Sequence, residues 1–511
     1  MTYLCVPIFV ESIEQAKRDI ATAVEAGVDL IELRLDDVTD GSVVKFLAES
    51  SVAPLILTCR PNWEGGHSEQ SDGARVGMLT VQTERARHYL DVEFETLKRS
   101  PVVSAIMPRL LIVSSHHFVA RPRRLYNLIQ ELNASPALVV KIAWMARSIR
   151  ENIEAFEIVR SRQKPTIALC MGEAGLLSRV LAKKFGAFLT YAALRSSDVT
   201  APGQPTIEQM KRLYRWDAID ADTHVYGVVG APIAHSLSPA VHNAAFEAAR
   251  INAVYLPMLV QPGYESFKAF MEEFLAFKPL HLRGLSVTIP HKENALRYLI
   301  ERGATVDPLA REVGAVNTIR IDESGQHHGL NTDHDAIVET VCGALSIQPG
   351  DLADKRVAVI GAGGTARTAV AAMARLGATV VVYNRTKEKA EQLASEFDGK
   401  IGKVVAARME KLCDSCCHVF INATPVGMHP NVDTSPLGDR LPRFTPDTLV
   451  FDTIYNPAKT KLLQQAEQAG AKVVGGAEMF IRQATKQFEI WTGVAAPVDV
   501  MRRAFASGGA A

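Results

Sequence analysis

The stretch VAVIGAGGTA, Val357–Ala366, decides the fold of the second half of the chain. Four apolar residues of strand length lead directly into three glycines within four positions, and a helical pattern follows. Glycine permits the tight turn between strand and helix, and it lets the backbone approach an anion at the helix N-terminus. The segment therefore predicts a strand–turn–helix unit with an anion site at the turn; an ordinary tight turn is the alternative.

The strand that follows this unit indicates which anion the turn would take. Thr379–Tyr383 reads as the next strand, and Asn384-Arg385-Thr386 comes directly after it. A site for NAD usually offers an acidic side chain here for the ribose hydroxyls. A cation with amide and hydroxyl donors instead favours a ribose 2′-phosphate, so the sequence predicts NADP; a surface arginine after a strand is the alternative.

The first half of the chain alternates strand-length apolar runs with helical stretches. Eight runs alternating with helices predict an α/β fold with a (β/α)8 barrel, and about 210 residues is near the lower limit for that fold. The polar stretch Asp217–Thr223 then reads as a linker, so we expect a barrel over residues 1–216 and a linker over 217–223. The eight runs are Tyr3–Ile8, Leu30–Asp36, Pro54–Cys59, Tyr89–Phe94, Leu110–Ser115, Leu138–Ala143, Thr166–Met171 and Ala187–Tyr191.

Composition excludes several classes of protein. The 511 residues carry equal numbers of Lys+Arg and Asp+Glu, 56 each, which argues against nucleic acid or an anionic membrane as the main partner. No apolar run approaches the ~18 residues of a membrane span, and the first residues read as a strand, not as a signal peptide. Seven scattered cysteines favour a reducing compartment. We expect a cytoplasmic protein, with a mature organellar form left open.

Three charged residues share one side of the second run. Glu32, Arg34 and Asp36 alternate with Leu33 and Leu35, so in a strand they point the same way. Charges that face a barrel interior are costly unless they are paired or used. A structural ion-pair network is one interpretation, and a polar active site is the other.

Further polar residues lie at or near the ends of other runs. Arg60 follows the third run, His116 ends the fifth, and Lys141 lies between apolar neighbours in the sixth. Active residues of barrels gather at the carboxyl ends of strands. A lysine in this setting either extends its amine to solvent or acts as a buried amine nucleophile. A buried amine, a histidine and arginines suit Schiff-base chemistry on a carbonyl substrate that carries a carboxylate.

Six segments of this half, taken in order, resemble type I 3-dehydroquinate dehydratase over nearly all of residues 1–215. They are Glu32-Leu33-Arg34-Leu35-Asp36, Thr58-Cys59-Arg60 with Glu64-Gly65-Gly66, Ser115-His116-His117-Phe118, Lys141-Ile142-Ala143, Leu177-Ser178-Arg179 and Ala201-Pro202-Gly203-Gln204. The resemblance implies that Lys141 forms an imine with the substrate, that His116 moves the proton, and that Glu64 orients His116. It implies Arg179 for the substrate carboxylate, and Glu32, Arg34, Arg60, Thr200 and Gln204 around the ring. His117 stands where Asp or Asn is common, which leaves His117 as an alternative base.

The second half has its own polar strand ends. Ser236 and Ser238, two apart near a predicted helix start, offer hydroxyls to a carboxylate; simple capping of the helix by Ser238 is the alternative. Lys292 and Asp333 each follow a strand. They meet only if the fold brings them together, and a surface salt bridge is the other interpretation.

These segments resemble shikimate dehydrogenase almost continuously over residues 224–500, together with Asn422–Met428, Asp452–Pro457 and Gly475–Met479. The resemblance implies a two-lobed dehydrogenase, with a substrate-binding domain over 224–335 and 477–511 and a Rossmann-like NADP domain over 336–476. It implies Lys292 and Asp333 as the catalytic pair. For the substrate it implies Ser236, Ser238, Thr288, Asn317, Tyr455 and Gln483. For the cofactor it implies Gly361, Ala362, Gly363, Gly364, Thr365, Ala366, Asn384, Arg385, Thr386, Thr424, Met428 and Gly476.

The two resemblances together predict a bifunctional enzyme of the shikimate pathway. The first half would dehydrate 3-dehydroquinate, and the second would reduce the product, 3-dehydroshikimate, to shikimate with NADPH. A second half that prefers quinate, and one catalytically silent half, are the alternatives. The short linker suggests direct transfer of the intermediate as a hypothesis. Cys413–His418 lacks a second pair at zinc spacing and reads as ordinary thiols, so no metal is expected. The sequence leaves the oligomeric state open.

Overall fold

The computed structural model describes residues 1–80, 88–99, 110–438 and 440–508. By its internal contacts the chain divides into two compact units. The first unit contains Met1–His224, Asn252–Val260 and Phe270–His281, and the second contains Val225–Ile251, Gln261–Ala269 and Leu282–Ala511. In the described part of the chain, the structure has no helix that is long and apolar enough to cross a membrane.

The first unit contains an eight-stranded parallel barrel, which confirms the predicted fold. The strand order is β7-β6-β5-β4-β3-β2-β1-β8, where β1 is Tyr3–Phe9, β2 Leu30–Arg34, β3 Leu55–Thr58, β4 Tyr89–Glu93, β5 Leu111–His117, β6 Val139–Met145, β7 Thr166–Met171 and β8 Leu189–Tyr191. The backbone N–H of Phe188 donates to the carbonyl of Thr166 at 2.9 Å and closes the ring between β8 and β7. All eight predicted runs form strands, although β2 ends at Arg34 and not at Asp36.

Helices follow most of the barrel strands and cover the outside of the sheet. They are α1 Ile13–Glu25, α2 Gly41–Ser50, α3 Asp72–Leu79, α4 Phe94–Arg99, α5 Leu125–Ala134, α6 Glu151–Arg160, α7 Leu176–Val180 and α8 Ala182–Phe185. The first of them shows why these segments become helices. Ser12 caps α1 by accepting a hydrogen bond from the backbone N–H of Gln15, and Ala16, Ile20 and Ala23 form its buried stripe.

The barrel interior changes from apolar to polar toward the carboxyl ends of the strands. Four strands place an apolar residue and, two positions later on the same side, a polar one: Leu30 and Glu32, Ile56 and Thr58, Ile112 and Ser114, and Val139 and Lys141. The apolar members of these pairs belong to one buried cluster with Cys5, Ile167 and Leu189. The cluster supports the polar layer above it and excludes water from below.

The second unit contains two further sheets. One is a mixed sheet whose strands in this unit have the order β9-β11-β13-β14-β12; strand β10 belongs to the first unit. The other is a parallel sheet in the order β17-β16-β15-β18-β19-β20. The strands are β9 His224–Gly230, β10 Ala253–Leu259, β11 Leu282–Val287, β12 Thr305–Val306, β13 Thr318–Ile321, β14 His327–Leu330, β15 Arg356–Ile360, β16 Thr379–Tyr383, β17 Val404–Ala407, β18 Val419–Asn422, β19 Leu449–Asp452 and β20 Lys472–Val474.

The parallel sheet has the arrangement expected of a dinucleotide-binding fold. Strand β15 lies between β16 and β18, so the strand order reverses there, and ligands of such sheets bind at the carboxyl ends of the strands at that point. The remaining helices are α9 Ser238–Ala248, α10 Tyr264–Ala276, α11 Lys292–Glu301, α12 Pro308–Val313, α13 Asp333–Leu345, α14 Gly364–Arg375, α15 Lys387–Phe397, α16 Lys461–Gln468, α17 Gly476–Thr492 and α18 Val498–Gly508. The predicted strand–turn–helix unit is thus β15 followed by α14.

Candidate functional site

One cavity at the carboxyl end of the barrel is lined by all nine residues predicted for the first site. Its volume is about 540 Å³, including its open mouth. Gly65, Phe118, Ala143, Leu169, Met171, Tyr191 and Ala201 complete its wall. The nine predicted residues are Glu32, Arg34, Arg60, Glu64, His116, Lys141, Arg179, Thr200 and Gln204. The segments that carry these residues are far apart in sequence, and the closed barrel brings them together.

Lys141 is buried and does not extend to solvent. The side chain is 4% exposed, and Nζ lies 2.7 Å from Asp91 Oδ2 and 3.7 Å from Glu32 Oε1. The amine also lies 4.6 Å from the centre of the Tyr191 ring. A buried ammonium needs such partners, because its desolvation is otherwise too costly. The amine is therefore fixed in the cavity at a defined position.

His116 lies beside Lys141 on the neighbouring strand. The parallel register of β5 and β6 pairs Ser114 with Lys141 and His116 with Ala143. His116 therefore lies two residues closer to the carboxyl ends of the strands than Lys141 does. Its Nδ1 is 2.9 Å from Glu64 Oε1, which also accepts the backbone N–H of His116. Burial, with the cations Arg60 and Lys141, holds the pKa of His116 well below its usual range. The imidazole is therefore neutral and can accept a proton.

The alternative base, His117, does not enter the cavity. Its Nε2 lies 3.0 Å from Ser115 Oγ on the other side of the strand. Because successive side chains of a strand point to opposite faces, only one of the two histidines can face the barrel interior. The geometry selects His116.

Three charged residues that the sequence analysis did not single out surround Lys141 and Arg60. Asp91 lies 2.9 Å from Arg60 Nη2, and Arg60 Nη1 lies 2.9 Å from Glu93. Arg75 in turn donates to Glu93 at 2.8 Å. The cations Arg60 and Lys141 outweigh burial and hold the pKa of Asp91 far below its usual range. Asp91 and Glu93 alternate in the run Tyr89–Phe94, so the parity that marked Glu32 and Arg34 would have found them.

Arg179 is a buried cation with room for an anion. Its exposed fraction is 2%, and its Nε–H has no hydrogen-bond partner among the described residues. Burial lowers its pKa to about 10, and no carboxylate in the described part of the chain offsets this effect. Nε2 of Gln204 and the hydroxyl of Tyr191 also lack partners. These orphaned donors indicate a site that binds an anionic, hydroxyl-bearing molecule.

The ion-pair interpretation of the second run holds for Asp36. Asp36 pairs with Arg34 at 2.6 Å and accepts the backbone N–H groups of Arg60 and His67 at 3.0 and 3.1 Å. It therefore fixes the loop that carries Glu64. Glu32 and Arg34 line the cavity, whereas Asp36 lies outside its lining and holds Arg34 and the backbone of the following loop.

In the second unit Lys292 and Asp333 form a buried pair. Lys292 Nζ donates to Asp333 Oδ2 at 2.7 Å, and the two side chains are 10% and 6% exposed, so the pair is not a surface salt bridge. Lys292 begins α11 and Asp333 begins α13. A cation at a helix N-terminus is disfavoured and a carboxylate there is favoured, so Asp333 offsets the unfavourable position of Lys292.

Ser236 and Ser238 lie together at the start of α9. The backbone N–H of Ser238 donates to Ser236 Oγ at 3.3 Å. Leu237 is the N-cap and makes no side-chain capping bond, so the interpretation of Ser238 as a simple cap is wrong. Tyr455 hydrogen-bonds Ser236, while burial raises the pKa of its phenol. Three hydroxyl groups therefore converge at one helix N-terminus.

The other predicted substrate residues differ in their burial and in the hydrogen bonds that they make within the protein. Asn317 is buried, and its amide bonds Thr332 and Thr318 within the unit. Thr288 is half-buried. Gln483 on α17 donates to the carbonyl of Phe480 at 3.0 Å. Gln487, one turn later and missed in the sequence, donates to Thr318 Oγ1 at 2.9 Å and anchors the same face of α17 to the sheet.

A cleft at the carboxyl end of β15 contains predicted cofactor residues. Its lining includes Ala362 and Gly363 of the turn, Asn384, Arg385 and Thr386, and Lys389, a cation that the sequence analysis missed. Arg367, Gln392, Leu393 and the carboxylates Glu293 and Glu396 complete the lining. Nothing lies within 4 Å of where a Cβ of Gly363 would stand, so the turn is open to a ligand. Gly361 has φ +119°. A Cβ there would lie 3.0 Å from the carbonyl of Ala423, which brings the turn against Thr424.

The loops after β18 and β19 complete this region. Asp452 accepts hydrogen bonds from Asn422 at 3.0 Å and Thr460 at 2.6 Å, and burial raises its pKa to about 6. Asn422 also accepts from the Thr424 hydroxyl at 2.7 Å. Met428 donates its backbone N–H to Pro425, and Gly476 donates to Ile454. Met428 lies in the loop after β18, and Gly476 is the first residue of α17.

The residues of the second unit fit a phosphorylated dinucleotide. The cleft combines the start of α14 with three cations, Arg367, Arg385 and Lys389. Of its two glutamates, Glu396 pairs with Arg367, and neither directly follows β16. In the described ranges no three His, Cys, Asp or Glu side chains are grouped to hold a metal ion. All seven cysteines are free thiols, including those of Cys413–His418.

Fold and sites together define an enzyme with two active centres, one in a barrel and one in a dinucleotide-binding fold. Family profiles match in chain order: type I 3-dehydroquinase at residues 4–221, the shikimate dehydrogenase substrate binding domain at 228–319, shikimate / quinate 5-dehydrogenase at 344–443, and the shikimate 5′-dehydrogenase C-terminal domain at 476–504.

Individual proteins match either the whole chain or its second half. The bifunctional 3-dehydroquinate dehydratase/shikimate dehydrogenase of Arabidopsis thaliana, described as chloroplastic, is 39% identical over 518 residues, which cover 97% of this chain and 83% of that protein. A shikimate dehydrogenase (NADP(+)) of Dehalococcoides mccartyi is 39% identical over 55% of this chain and 94% of its own length. A crystal structure of shikimate dehydrogenase in complex with NADP+ matches with a TM-score of 0.50 and 36% identity, over 57% of this chain and 96% of that one. The chain belongs to the family of bifunctional 3-dehydroquinate dehydratase/shikimate dehydrogenases.

The protonation state of His116 yields a pH prediction for the dehydratase. Because the pKa of His116 is held well below 6.5, its neutral form persists at pH 6.5, where a free imidazole is half protonated. We expect kcat/KM for 3-dehydroquinate to stay constant as pH falls through 6.5 and to decline only below it. Steady-state rates from pH 5 to 9 measure this. His117→Asn is the matched control and keeps the same profile; an acid limb at or above 6.5, or one that moves in His117→Asn, contradicts the assignment.

Proposed function

We propose that the barrel cavity dehydrates 3-dehydroquinate through an imine on Lys141. The observation that carries this proposal is that one cavity holds a buried amine, a neutral histidine and a buried arginine whose Nε–H lacks a partner. The amine supplies the nucleophile, the imidazole the base and the guanidinium the carboxylate site. The family's name supports the same reaction class, a lyase.

The steps follow from these groups. The Lys141 amine passes one proton to His116 and adds to the substrate ketone, and His116 returns that proton to the former ketone oxygen, which leaves as water. The resulting iminium acidifies the adjacent C–H because it is a strong electron sink. His116 takes the proton of that C–H. Protonation of the leaving hydroxyl by His116 then releases water and forms the carbon–carbon double bond. Hydrolysis of the imine returns 3-dehydroshikimate and the free amine.

The remaining cavity residues orient the substrate. Arg179 pairs with the carboxylate, which provides its missing counter-ion. Gln204 accepts hydrogen bonds from the Thr200 hydroxyl and N–H at 2.9 and 3.1 Å, so its Nε2 donor is left for a ring hydroxyl. Glu32, Arg34 and Arg60 face the same ring, while Glu64 orients His116.

In the second unit Lys292 and Asp333 act at the carbonyl of 3-dehydroshikimate. NADPH supplies a hydride to that carbon when it is bound. Lys292 stabilises the developing alkoxide and donates a proton to it, and Asp333 holds the Lys292 amine in place. Ser236, Ser238 and Tyr455 provide donors for the carboxylate. Thr288, Asn317 and Gln483 are the residues we assign to ring hydroxyls.

The cofactor assignment rests on the cleft after β15. Gly361–Ala366 would take the pyrophosphate, because the N-terminus of α14 offers unpaired N–H groups there. Asn384, Arg385 and Thr386, joined by Lys389, would take the 2′-phosphate that distinguishes NADP from NAD. Thr424, Met428 and Gly476 would lie beside the nicotinamide. The hydroxyls of Ser238 and Thr288 support shikimate rather than quinate as the preferred acid.

The domain limits and the location of the protein complete the proposal. We assign residues 1–216 to the dehydratase, 217–223 to a linker, 224–335 with 477–511 to the shikimate-binding domain, and 336–476 to the NADP domain. The seven free thiols support a reducing compartment such as the cytoplasm. Small molecules are the partners we assign, because a net charge of zero offers no footprint for nucleic acid.

The imine gives a direct chemical test of the first site. Borohydride added during turnover of 3-dehydroquinate is expected to trap one substrate-derived group on Lys141, because reduction converts the imine to a stable amine. Peptide mass spectrometry locates the adduct. Lys141→Arg keeps the charge but gives no adduct, and Lys45→Arg, at an exposed lysine, is trapped like the parent. An adduct on another lysine, or none in an active sample, overturns the assignment.

The second site is tested by separating turnover from binding. Lys292→Ala is expected to lower kcat for shikimate oxidation roughly 10²- to 10⁴-fold, the usual contribution of a positioned acid–base group. NADPH affinity, followed by fluorescence titration, stays close to that of the parent, because Lys292 does not line the nucleotide cleft. Lys472→Ala, at an exposed lysine, serves as the matched control. Equal losses of turnover and NADPH affinity contradict the proposed role.

A further inference from the structure

The start of α14 contacts Lys292 directly and reaches Asp333 through Asn331. Thr365 Oγ1 accepts a hydrogen bond from Lys292 Nζ at 2.9 Å. The stem of Lys292 packs so closely on Gly364 that a Cβ there would lie 2.9 Å from Lys292 Cβ. Asn331 accepts the backbone N–H of Asp333 at 3.1 Å and donates to Thr368 Oγ1 at 3.2 Å. The glycine turn at the start of α14 and the Lys292–Asp333 pair are therefore linked by direct contacts and hydrogen bonds.

Counting donors shows what Thr365 does to the amine. An ammonium has three N–H groups; Asp333 and Thr365 accept two of those of Lys292, which leaves the third for a bound molecule. Two fixed bonds determine the direction of the third. Because the Thr365 oxygen accepts from Lys292, its own hydroxyl proton is left to donate elsewhere. Thr365 is the second residue of α14, at the helix end where an anion is favoured.

We infer that Thr365 is a positioning residue that aims the Lys292 amine and transmits the occupancy of the nucleotide turn to it. The inference rests on the proposed function of Lys292. A phosphate at the turn takes the hydroxyl proton of Thr365, and chains of hydrogen bonds strengthen one another, so the bond from Lys292 tightens. The third N–H of Lys292 is then held toward the substrate oxygen. Occupancy of one site therefore raises affinity at the other, and the effect is reciprocal.

Two substitutions at one position separate the hydroxyl from the shape of the side chain. Thr365→Val removes the hydroxyl and keeps the branched shape, whereas Thr365→Ser keeps the hydroxyl. We expect kcat for shikimate oxidation to fall roughly 10-fold in Thr365→Val, the loss that corresponds to one hydrogen bond to a charged group, and the KM for shikimate to rise by about the 5-fold coupling that is lost. Thr365→Ser restores most of the rate.

Binding measured without turnover gives the second readout. Shikimate and NADPH are both reduced, so they form a complex that does not react. Isothermal titration of the full-length protein with shikimate, with and without saturating NADPH, gives the coupling factor directly. We expect the parent and Thr365→Ser to bind shikimate about 5-fold or more tightly with NADPH present, and Thr365→Val to lose most of that gain. A purely structural role of Thr365 would not produce this pattern.

The outcomes are distinguishable. Dehydratase turnover of each sample reports that the first unit is folded, and NADPH binding reports that the second unit is folded. Parent-like kcat and coupling in Thr365→Val overturn the inference, as does equal loss in Thr365→Ser and Thr365→Val. A fall in NADPH affinity alone, with kcat and coupling retained, makes Thr365 a cofactor contact only and also overturns it. Retained turnover in Lys292→Ala instead defeats the proposed function of the second site.

Discussion

A buried ammonium is destabilising by several kcal/mol unless an anion lies against it, and both active centres of this chain are built around that constraint. Lys141 has Asp91 at 2.7 Å, and Lys292 has Asp333 at 2.7 Å. In each case the two partners come from different elements, so the pair forms only when the fold is complete. The fold and the reactive amine are therefore specified by the same contacts.

The constraint extends outward from each pair. In the barrel, Asp91 also pairs with Arg60, Arg60 with Glu93, and Glu93 with Arg75, so the polar layer forms one chain of opposite charges above an apolar floor. Arg179 stands apart from this chain, and its Nε–H has no partner. The paired cations hold the cavity together, and the open donor of Arg179 supports its proposed assignment to the substrate carboxylate.

The two sites differ in where their rigidity comes from. The first uses adjacent strands of a closed barrel, whose register fixes Lys141 and His116 relative to each other. The second uses helix N-termini, with Lys292, Asp333 and Thr365 all in the first turns of α11, α13 and α14. Helix starts concentrate unpaired N–H groups, which suits a site that must take a carboxylate and two kinds of phosphate group.

Sequence reasoning predicted the fold, and the nine residues it proposed for the first site line one cavity, because both depend on local patterns. Strand-length runs gave all eight barrel strands, and the glycine turn gave β15 and α14. What it missed depended on tertiary contacts. Asp91 and Glu93 carry the right parity, but only the closed barrel shows that they pair with Lys141 and Arg60. Gln487 and Lys389 lie on helix faces where nothing in the spacing sets them apart from ordinary polar residues.

Position in the folded chain also decided the open alternatives. His116 and His117 are equivalent in sequence, and the alternation of strand faces separates them. Ser238 sits where a cap would be expected, yet Leu237 occupies the N-cap position and leaves the serine hydroxyl unused by the helix. In both cases a shift of one residue along the chain changes the role of the side chain, and composition and spacing do not determine the position that precisely.

The central claim is that one chain carries out two consecutive reactions, and the most direct test supplies only the first substrate and the last cofactor. The full-length protein is given 3-dehydroquinate and NADPH, NADPH oxidation is followed, and the product is identified by mass. The account predicts oxidation with shikimate as the product. Quinate as the product, or no oxidation, contradicts it, and in the latter case the same assay begun with 3-dehydroshikimate shows which site has failed.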